Sequence, residues 1–478
     1  MYLRLLTLAA ALTVPASALA FCGFFVSGAD AELYNDATQV VLMRKDTRTV
    51  MTISNNYRGP TEDFAMVVPV PTVLQKEQVK TLAPSVFTKI DQLSAPRLVE
   101  YWEQDPCYVP PPVKYRRRRG LARSAAPGAA RPRPELGVTV EAQFQVGEYQ
   151  IVILSANDSS GLDTWLRREH YKIPEGAGDA MAPYVKAGMK FFVAKVDIKK
   201  VHRDAKGTVV LSPLRFNYDS PDLRLPVRLG LLNAKGEQDL LVYVLHPTSR
   251  FEAANYKNVF IPSNLEVLDK VRESFGAFYV QLFDQTLAKA GGKAIVTEYA
   301  WQTSSCDPCP VPPLTPADIY TLGGDVLGEP VGQSKRPRRR SRRGRGAFFG
   351  RASSWVLTRM HTRYSKELLG EDIVFRPASA ITGGRGSAGR SLENPGEAKP
   401  ASSNNFQGRY IIRHYWEGKV SCENPNWGRW GGPPQGGKKL QMAGDLANAP
   451  RGAVKLKQVV RSKLDALDLP GIAEKKRH

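Results

Sequence analysis

The sequence has few of the residues that usually mark a catalytic or metal site. Its 478 residues include only 5 cysteines and 6 histidines. A second C-x-x-C or C-x-x-H pair is missing, which argues against a zinc site, and no G-x-S-x-G, H-E-x-x-H or P-loop motif occurs. The carboxylate pairs Glu62-Asp63 and Glu371-Asp372 have nothing nearby to separate their pKa values. We therefore expect no cofactor, no metal and no enzymatic activity; a hydrolase with a site assembled from distant residues is the alternative.

Long apolar runs are also scarce, and this bears on where the chain is found. After residue 20 no segment approaches the 18 apolar residues of a membrane-spanning helix, so we expect none in the mature protein. The first twenty residues instead resemble a signal peptide, with Arg4, the apolar stretch Leu5 to Val14 and the cleavage site Ala18-Leu19-Ala20. The sequence predicts export to the periplasm or the cell exterior. An uncleaved anchor is the alternative.

The cysteine count is odd, so at most two disulfides form within one chain. Cys306 and Cys309 have C-x-x-C spacing, but Pro310, Pro312 and Pro313 follow at once and argue against the helix N-terminus that lowers a redox thiol's pKa. Because an exported chain meets an oxidising compartment, structural disulfides are favoured. Their pairing stays open. The candidate disulfide residues are Cys22, Cys107, Cys306, Cys309 and Cys422.

The positive charge of the chain is concentrated in three segments. Lys and Arg number 67 against 46 Asp and Glu, yet Lys114 to Pro134 and Lys335 to Arg345 each hold eight basic residues and no acidic one. Residues 438–478 hold ten against four, which leaves the rest of the mature chain close to neutral. The candidate anion-binding residues are Arg116, Arg117, Arg118, Arg119, Arg338, Arg339, Arg340, Arg342 and Arg343.

These basic segments suggest partners outside the cytoplasm. Lipopolysaccharide or anionic lipid would attract them electrostatically, whereas solvated spacers that bind nothing are the simpler interpretation. Sequence-specific nucleic-acid binding is not expected, since the basic segments carry a single aromatic residue, Tyr115. The oligomeric state stays open.

Hydrophobic patterning predicts an α+β fold of β-rich modules with packed helices, joined by disordered Arg/Pro-rich linkers. The expected divisions are a signal peptide (1–20), a first β-led module (21–113), a basic linker (114–137), a second α+β module (138–313), a basic linker (314–350), a C-terminal segment with a helix and a Trp-rich loop (351–437) and a basic tail (438–478).

Individual elements follow from the same patterns. Helices are predicted at Ser85–Gln92, Arg97–Gln104, Asp163–His170, Asn264–Ala290 and Trp355–Leu369. Strands are predicted as the hairpins Thr38–Arg44 with Thr47–Ser54 and Val138–Val146 with Glu148–Ala156, the pair Arg224–Leu232 with Gln238–His246, and Phe64–Val70, Met189–Ile198 and Arg409–Trp416. On the helix predicted at Trp355–Leu369, His361 has the spacing of a core histidine, whereas Arg359 and Arg363 are expected on a solvated face, with anion binding as the alternative.

A short internal echo suggests a duplicated module. Residues 105–111 (DPCYVPP) match residues 307–313 (DPCPVPP) at six of seven positions, and in both places an Asn-Tyr pair and a helical region precede the motif. We therefore consider an internal duplication of residues 21–113 in residues 190–313, against coincidence in a proline-rich chain. Different strand orders in the two segments would exclude it.

Three tryptophans lie close together near the C-terminal end of the chain. Trp416, Trp427 and Trp430 occur around Cys422 among glycines and asparagines, a composition that suits an exposed loop. Their indoles are candidate sugar-stacking groups, which would indicate binding of polysaccharide or peptidoglycan. Packing against the Cys422 region is the alternative.

Several segments together resemble a known family. They are Phe21-Cys22-Gly23-Phe24-Phe25, the run Phe64 to Pro71, Leu98 to Trp102, Cys306 to Cys309, Leu357 to His361 and Gly408 to His414. Spanning most of residues 21–432, they are similar to the exported, myxobacterial-type bacterial family catalogued as domain of unknown function 2330. The resemblance implies an exported bacterial protein and no particular activity. We therefore expect a non-enzymatic structural or binding component of the cell envelope, with a polysaccharide-binding module as the alternative.

Overall fold

A computed structural model describes most of the chain. The described residues are 24–27, 34–58, 64–108, 139–169, 171, 173, 176–197, 199–203, 209–233, 237–328, 355–365, 368–385, 395–396, 398–433, 441–442 and 451–472. The predicted signal peptide, Cys22 and the candidate anion-binding arginines at 116–119 and 338–343 lie outside them. No helix in the described ranges is both long and apolar enough to span a bilayer.

Strands dominate the described part of the chain. They are β1 (Phe24–Ser27), β2 (Tyr34–Lys45), β3 (Arg48–Arg58), β4 (Phe64–Val70), β5 (Val79–Thr81), β6 (Arg97–Glu103), β7 (Thr139–Val146), β8 (Tyr149–Ser155), β9 (Lys190–Val196), β10 (His202–Arg203), β11 (Val209–Val210), β12 (Leu214–Asp219), β13 (Leu223–Leu225), β14 (Gln238–His246), β15 (Arg250–Ala253), β16 (Lys257–Phe260), β17 (Leu265–Glu266), β18 (Ala294–Gln302), β19 (Val356–Tyr364), β20 (Ile373–Ala378), β21 (Ile381–Gly383), β22 (Lys399–Pro400), β23 (Asn405–Gln407), β24 (Arg409–His414), β25 (Trp430–Gly431) and β26 (Gln441–Met442).

Helices pack against these strands, so the fold is α+β as the sequence predicts. The α-helices are α1 (Ser85–Ser94), α2 (Ser159–Arg168), α3 (Ala177–Lys186), α4 (Phe275–Lys289) and α5 (Pro316–Ile319). Short 3-10 turns occur at Lys76–Gln78, Arg228–Asn233, Asp269–Ser274, Leu456–Gln458 and Asp465–Leu467, and a π turn at Tyr320–Gly324.

A mixed sheet of eleven strands forms the centre of the described structure. Its order is β22-β21-β23-β18-β19-β14-β2-β3-β12-β5, with β16 also paired to β18. Strand β14 runs parallel to β2 and antiparallel to β19. These three strands come from the segments 21–113, 138–313 and 351–437, so the segments predicted as modules share one sheet.

Both faces of the central sheet are covered, which explains the continuous apolar run of β2. Val40 and Leu42 face a second sheet, β1-β4-β9-β8-β7, whereas Val41 and Met43 face α1 and the 314–327 region. A strand buried on both sides has no polar face to alternate with. Helices α2 and α3 cover the far side of the second sheet.

A smaller sheet, β17-β24-β6-β25 with β26 also paired to β6, packs on the other side of α4. Strands β6 and β24 are parallel neighbours, with Leu98 opposite Tyr410 and Trp102 opposite His414. Residues 451–472, part of the predicted basic tail, also pack on α4. They bury Leu456, Val460 and three further apolar side chains in the same core, Val459, Leu467 and Leu469.

Several predicted elements are confirmed. The hairpins β2–β3 and β7–β8 form where expected, as do the strands β4, β9, β14 and β24 and the helices α1 and α2. Asp46 and Thr47 turn the first hairpin, and Asp46 has a positive φ of 53°. The local chemistry of turn residues is sufficient to predict these elements from the sequence.

Two predicted helices are strands. Arg97–Gln104 contains β6, where β-favouring residues such as Val99 and Tyr101 pair along β24. Trp355–Leu369 contains β19, inserted between β14 and β18. The helix prediction relied on the spacing of His361 with apolar neighbours, but a strand of the central sheet buries both faces and erases the usual alternation.

Three further predictions need correction. The helix expected over Asn264–Ala290 begins only at Phe275, after β17 and a 3-10 turn. Arg224–Leu232 is not a strand paired with β14; it holds the end of β13 and a 3-10 turn, and β13 pairs with β20. The content of Gly, Ser, Ala and Pro in residues 378–405 predicts a loop, but this stretch includes β21 and β22.

The two segments of the proposed duplication have different strand orders. Both DPC motifs do follow a helix and a strand, α1–β6 and α4–β18. However, β6 lies beside parallel β24 in the small sheet, whereas β18 lies between β19 and β23 in the central sheet. The structure therefore does not support an internal duplication.

Candidate functional site

The end of the small sheet gathers aromatic side chains from distant parts of the chain. Because β6 and β24 are parallel, the loops that follow them leave the sheet at the same edge. The disulfide between Cys107 and Cys422 joins these two loops across 315 residues of sequence. We call this surface the aromatic edge; its residues are Trp102, Tyr108, Tyr415, Trp416, Trp427 and Trp430.

Hydrogen bonds hold the second loop against the first. The Glu103 carboxylate accepts from the backbone N–H of Trp416 at 3.2 Å and of Gly428 at 2.9 Å. The N–H of Asn426 donates to the Pro106 carbonyl at 2.9 Å, and strand β25 pairs with the end of β6. The loop is therefore fixed at several points besides the disulfide.

The three tryptophans predicted to stack on sugars differ in exposure. Trp427 is 49% exposed, and Tyr108 on the neighbouring loop is 51% exposed. Trp416 and Trp430 are partly buried. Trp430 has the Tyr415 ring at its edge, 5.2 Å between centroids, and the Arg413 guanidinium 5.3 Å from its centroid. Trp427 and Tyr108 thus have the most accessible rings of the aromatic edge.

A charged cluster lies beside the aromatic edge. His414 stacks on Trp102, with 4.5 Å between ring centroids, and its Nε2 lies 2.8 Å from Glu100. Arg272 donates two hydrogen bonds to Glu100, at 2.8 and 2.9 Å, and also pairs with Asp269. Burial opposes ionisation of Glu100, but the hydrogen bonds from Arg272 and His414 outweigh it and lower its pKa.

Glu100, Asp269 and His414 have the ligand types of a metal site. Their ligand atoms lie within 4.8 Å of one another. Arg272, however, already holds both oxygens of Glu100 and pairs with Asp269, and a cation would have to displace this guanidinium. The arrangement therefore fits an ion-pair network that joins the 3-10 turn at Asp269–Ser274 to the small sheet.

A second set of charged side chains lies beneath α1 and α4 and is centred on three fully buried residues of β19. Successive inward residues of β19 supply Arg359, His361 and Arg363, which we call the β19 charge cluster together with their carboxylate partners. Their partners come from four other elements and are Asp91, Asp239, Asp284 and Glu298. The sequence interpretation of Arg359 and Arg363 as a solvated or anion-binding face is therefore wrong, since a strand places them on the buried face with His361.

His361 lies between two carboxylates. Its Nδ1 is 2.7 Å from Glu298 and its Nε2 is 2.9 Å from Asp239, while Phe283 stacks on the ring at 3.9 Å. Burial disfavours the imidazolium, but the charge of Glu298 and both hydrogen bonds outweigh it and raise the pKa of His361. Burial also opposes ionisation of Glu298, yet His361 and Arg359 lower its pKa to about 2.

This geometry makes His361 a structural group. An imidazolium whose two nitrogens both donate has no lone pair with which to accept a proton. The side chain is also buried, so no substrate reaches it. The core position expected for His361 is confirmed, although in a strand rather than a helix.

The second disulfide joins Cys306 to Cys309. It lies in an irregular loop after β18, and Arg97 donates to the Pro308 carbonyl at 2.7 Å and to the Leu93 carbonyl at 2.6 Å. The C-x-x-C pair thus closes a loop that is anchored to the end of α1. Four of the five candidate cysteines form disulfides, and Cys22 lies outside the described residues.

Sequence patterns missed several residues in and beside the aromatic edge. Trp102 lies in a segment predicted as a helix, and Tyr108, His414 and Arg429 carry no signal of their own. The one sequence signal for this surface is that Trp102 and Tyr108 lie on either side of Cys107. This signal predicts a shared surface only when the pairing of Cys107 with Cys422 is known.

Comparison with known proteins agrees with the resemblance noted from the sequence. Residues 15–376 match the model of a family described as an uncharacterized protein conserved in bacteria (DUF2330). The chain belongs to this family. The match ends before β24, so Gly408 to His414 and most of the aromatic edge lie beyond it. No curated protein and no solved structure matches the chain.

Proposed function

We propose that this DUF2330 protein is an exported, non-enzymatic component of the bacterial cell envelope that binds polysaccharide at the aromatic edge. The observation that carries the proposal is the pair of half-exposed rings, Trp427 and Tyr108, on two loops clamped by the Cys107–Cys422 disulfide. Rigid, exposed aromatic rings offer flat apolar faces with little conformational entropy to lose on binding. Such faces match the C–H faces of sugar rings.

Two further features support export and a non-enzymatic role. The leader-like first twenty residues and the two disulfides suit an oxidising compartment outside the cytoplasm. Buried His361 has a carboxylate on each ring nitrogen. An imidazolium that donates from both nitrogens has no lone pair with which to act as a general base.

The test is retention of the purified mature protein on insoluble cell-wall polysaccharide. Trp427→Ala and Tyr108→Ala should each weaken retention about tenfold, because each removes a stacking surface. Val420→Ala is the matched control, since Val420 is 43% exposed on the same loop but offers no ring. Retention of the Trp427→Ala protein at the wild-type level would reject the aromatic edge as the binding surface.

An electrostatic tether is the second candidate function. Two segments of eight basic residues each, Lys114 to Pro134 and Lys335 to Arg345, would attach the protein to lipopolysaccharide or anionic lipid. Binding to isolated envelope fractions should then fall steeply with salt, and should be lost when the arginines of both segments are changed to glutamine. Binding that survives both treatments would reject the tether and favour the aromatic edge.

A further inference from the structure

Arg429 is held at the aromatic edge with most of its guanidinium uncommitted. Its Nη1 donates to the Tyr108 carbonyl at 2.6 Å, and the guanidinium carbon lies 5.8 Å from the centroid of the Tyr108 ring. Within the described ranges its guanidinium makes no other hydrogen bond and no ion pair with a carboxylate. The side chain is thus preorganised, while its remaining N–H groups are available to a ligand.

The other arginines of this surface are neutralised within the protein. Arg413 pairs with Glu266 at 2.8 Å, and Arg272 pairs with Glu100 at 2.8 Å. Arg429 is therefore the arginine near Trp427 whose charge no described carboxylate offsets. A guanidinium with a free edge binds a planar carboxylate or a phosphate through paired hydrogen bonds.

We infer that the aromatic edge selects negatively charged polysaccharides, with Arg429 binding the carboxylate or phosphate group and Trp427 and Tyr108 stacking on the sugar rings. This inference rests on the proposed function, because it names the class of ligand for the same surface. The exposed Glu417 and Glu423 on the same loop repel a negatively charged ligand. Neutralising either carboxylate should therefore strengthen binding, whereas neutralising Arg429 should weaken it.

The experiment compares polymers that share a backbone and differ in charge. Polygalacturonate and its methyl ester have the same sugar rings, but only the first carries carboxylates; a phosphomannan tests phosphate. To remove the contribution of the arginine-rich segments, all proteins carry glutamine in place of each of the eight basic residues of Lys114 to Pro134 and of Lys335 to Arg345. Affinity is measured by calorimetry, and the melting temperature of each protein verifies folding.

We expect the parent protein to bind polygalacturonate about tenfold more tightly than the methyl ester, since a charge-assisted hydrogen bond typically supplies at least this factor. Arg429→Gln should remove the preference, and Arg429→Lys should retain part of it. Glu423→Gln should strengthen binding of the acid and leave the ester unchanged. Trp427→Ala should weaken binding of both polymers equally.

The outcomes separate this inference from the proposed function. Equal binding of the acid and the ester by the parent protein, or an equal loss for both in Arg429→Gln, overturns the charge selectivity and leaves polysaccharide binding intact. Binding of phosphomannan that Arg429→Gln abolishes supports the inference, with phosphate as the bound group. If the parent protein binds none of the three polymers, both proposals fail.

Discussion

At the residue scale, the β19 charge cluster shows how charged side chains are stabilised in the core. Arg359 and Glu298 are each 0% exposed and lie 2.6 Å apart. Ions taken out of water are tolerated only when partners replace the lost hydration. Here the partners come from β14, β18, α1 and α4, so the cluster couples two helices to the central sheet.

The raised pKa of His361 predicts a pH-dependent stability. The protonated ring contributes stability that is fully present below its ordinary pKa of 6.5 and is lost as the pH rises through the higher folded value. The lowered pKa of Glu298 acts oppositely: its contribution is present above the ordinary 4.5 and is lost as the pH falls through about 2. The free energy of unfolding, measured with urea at several pH values, should therefore fall both at high pH, where His361 loses its proton, and at low pH, where Glu298 gains one.

His361→Gln provides the comparison for this prediction. Glutamine can donate one hydrogen bond but carries no charge, so the variant should be less stable than the wild type at pH 6. The difference should shrink as the pH rises and the wild-type histidine loses its proton. If the difference in free energy of unfolding between the two proteins stays constant from pH 6 to pH 10, the charge of His361 contributes nothing to stability.

Removal of Arg359 should lower the free energy of unfolding far more than removal of an exposed arginine. Arg359→Met leaves Glu298 and Asp91 without their guanidinium partner, which should lower the free energy of unfolding by about 3–5 kcal/mol. Arg224→Met is the control, because Arg224 is half exposed and lies 3.6 Å from the exposed Asp222; its effect should be within about 0.5 kcal/mol. Chemical denaturation of both variants measures the contrast.

At the scale of elements, the two disulfides close loops of very different length. Cys107–Cys422 spans 315 residues and joins the loops after β6 and β24, whereas Cys306–Cys309 spans three. In the chain-entropy account, a longer closed loop removes more freedom from the unfolded state. The first bridge also determines how Trp427 and Tyr108 are presented.

Cysteine-to-serine pairs test this difference. Changing Cys107 and Cys422 together should lower the free energy of unfolding by about 2–5 kcal/mol and weaken polysaccharide retention. Changing Cys306 and Cys309 together should lower the free energy of unfolding by a smaller amount and leave polysaccharide retention at the wild-type level. If the second pair impairs retention as strongly as the first, the role assigned to the Cys107–Cys422 clamp is wrong.

At the scale of the whole molecule, the C-terminal segment 451–472 connects the core of α4 to the aromatic edge. The Glu266 carboxylate accepts a hydrogen bond from Arg413. The backbone of Glu266 contacts the C-terminal segment twice: its N–H donates to the Ser462 hydroxyl at 2.8 Å, and its carbonyl accepts from the Arg461 N–H at 2.8 Å. Lys289 pairs with Asp468 at 2.5 Å. The segment therefore contributes to the fold as well as to the charge of the chain.

Leu456→Ala tests this contribution. Leu456 is buried against α4, so its truncation should lower the free energy of unfolding by about 2–5 kcal/mol. Lys457→Ala alters the adjacent exposed residue and should change it by less than about 0.5 kcal/mol. Equal effects in thermal denaturation would mean that residues 451–472 do not pack as described.

Local chemistry in the sequence determined the α+β class, the hairpins β2–β3 and β7–β8 and most isolated strands. Turn residues and hydrophobic patterning act over a few neighbours, so they can be read without a partner. Composition likewise determined the segregation of positive charge into three segments. The same local rules misassigned β6 and β19, because their helical spacing was produced by burial on two faces.

Only the tertiary structure decided the aromatic edge and the β19 charge cluster. Arg359 and Arg363 read as surface residues until carboxylates from four other elements surround them, since burial of charge depends on partners that local sequence does not reveal. The pairing of Cys107 with Cys422 and the exposure of Trp427 depend in the same way on the parallel neighbours β6 and β24. Contacts between residues more than 300 positions apart are set by packing of the whole chain, and no local pattern encodes them.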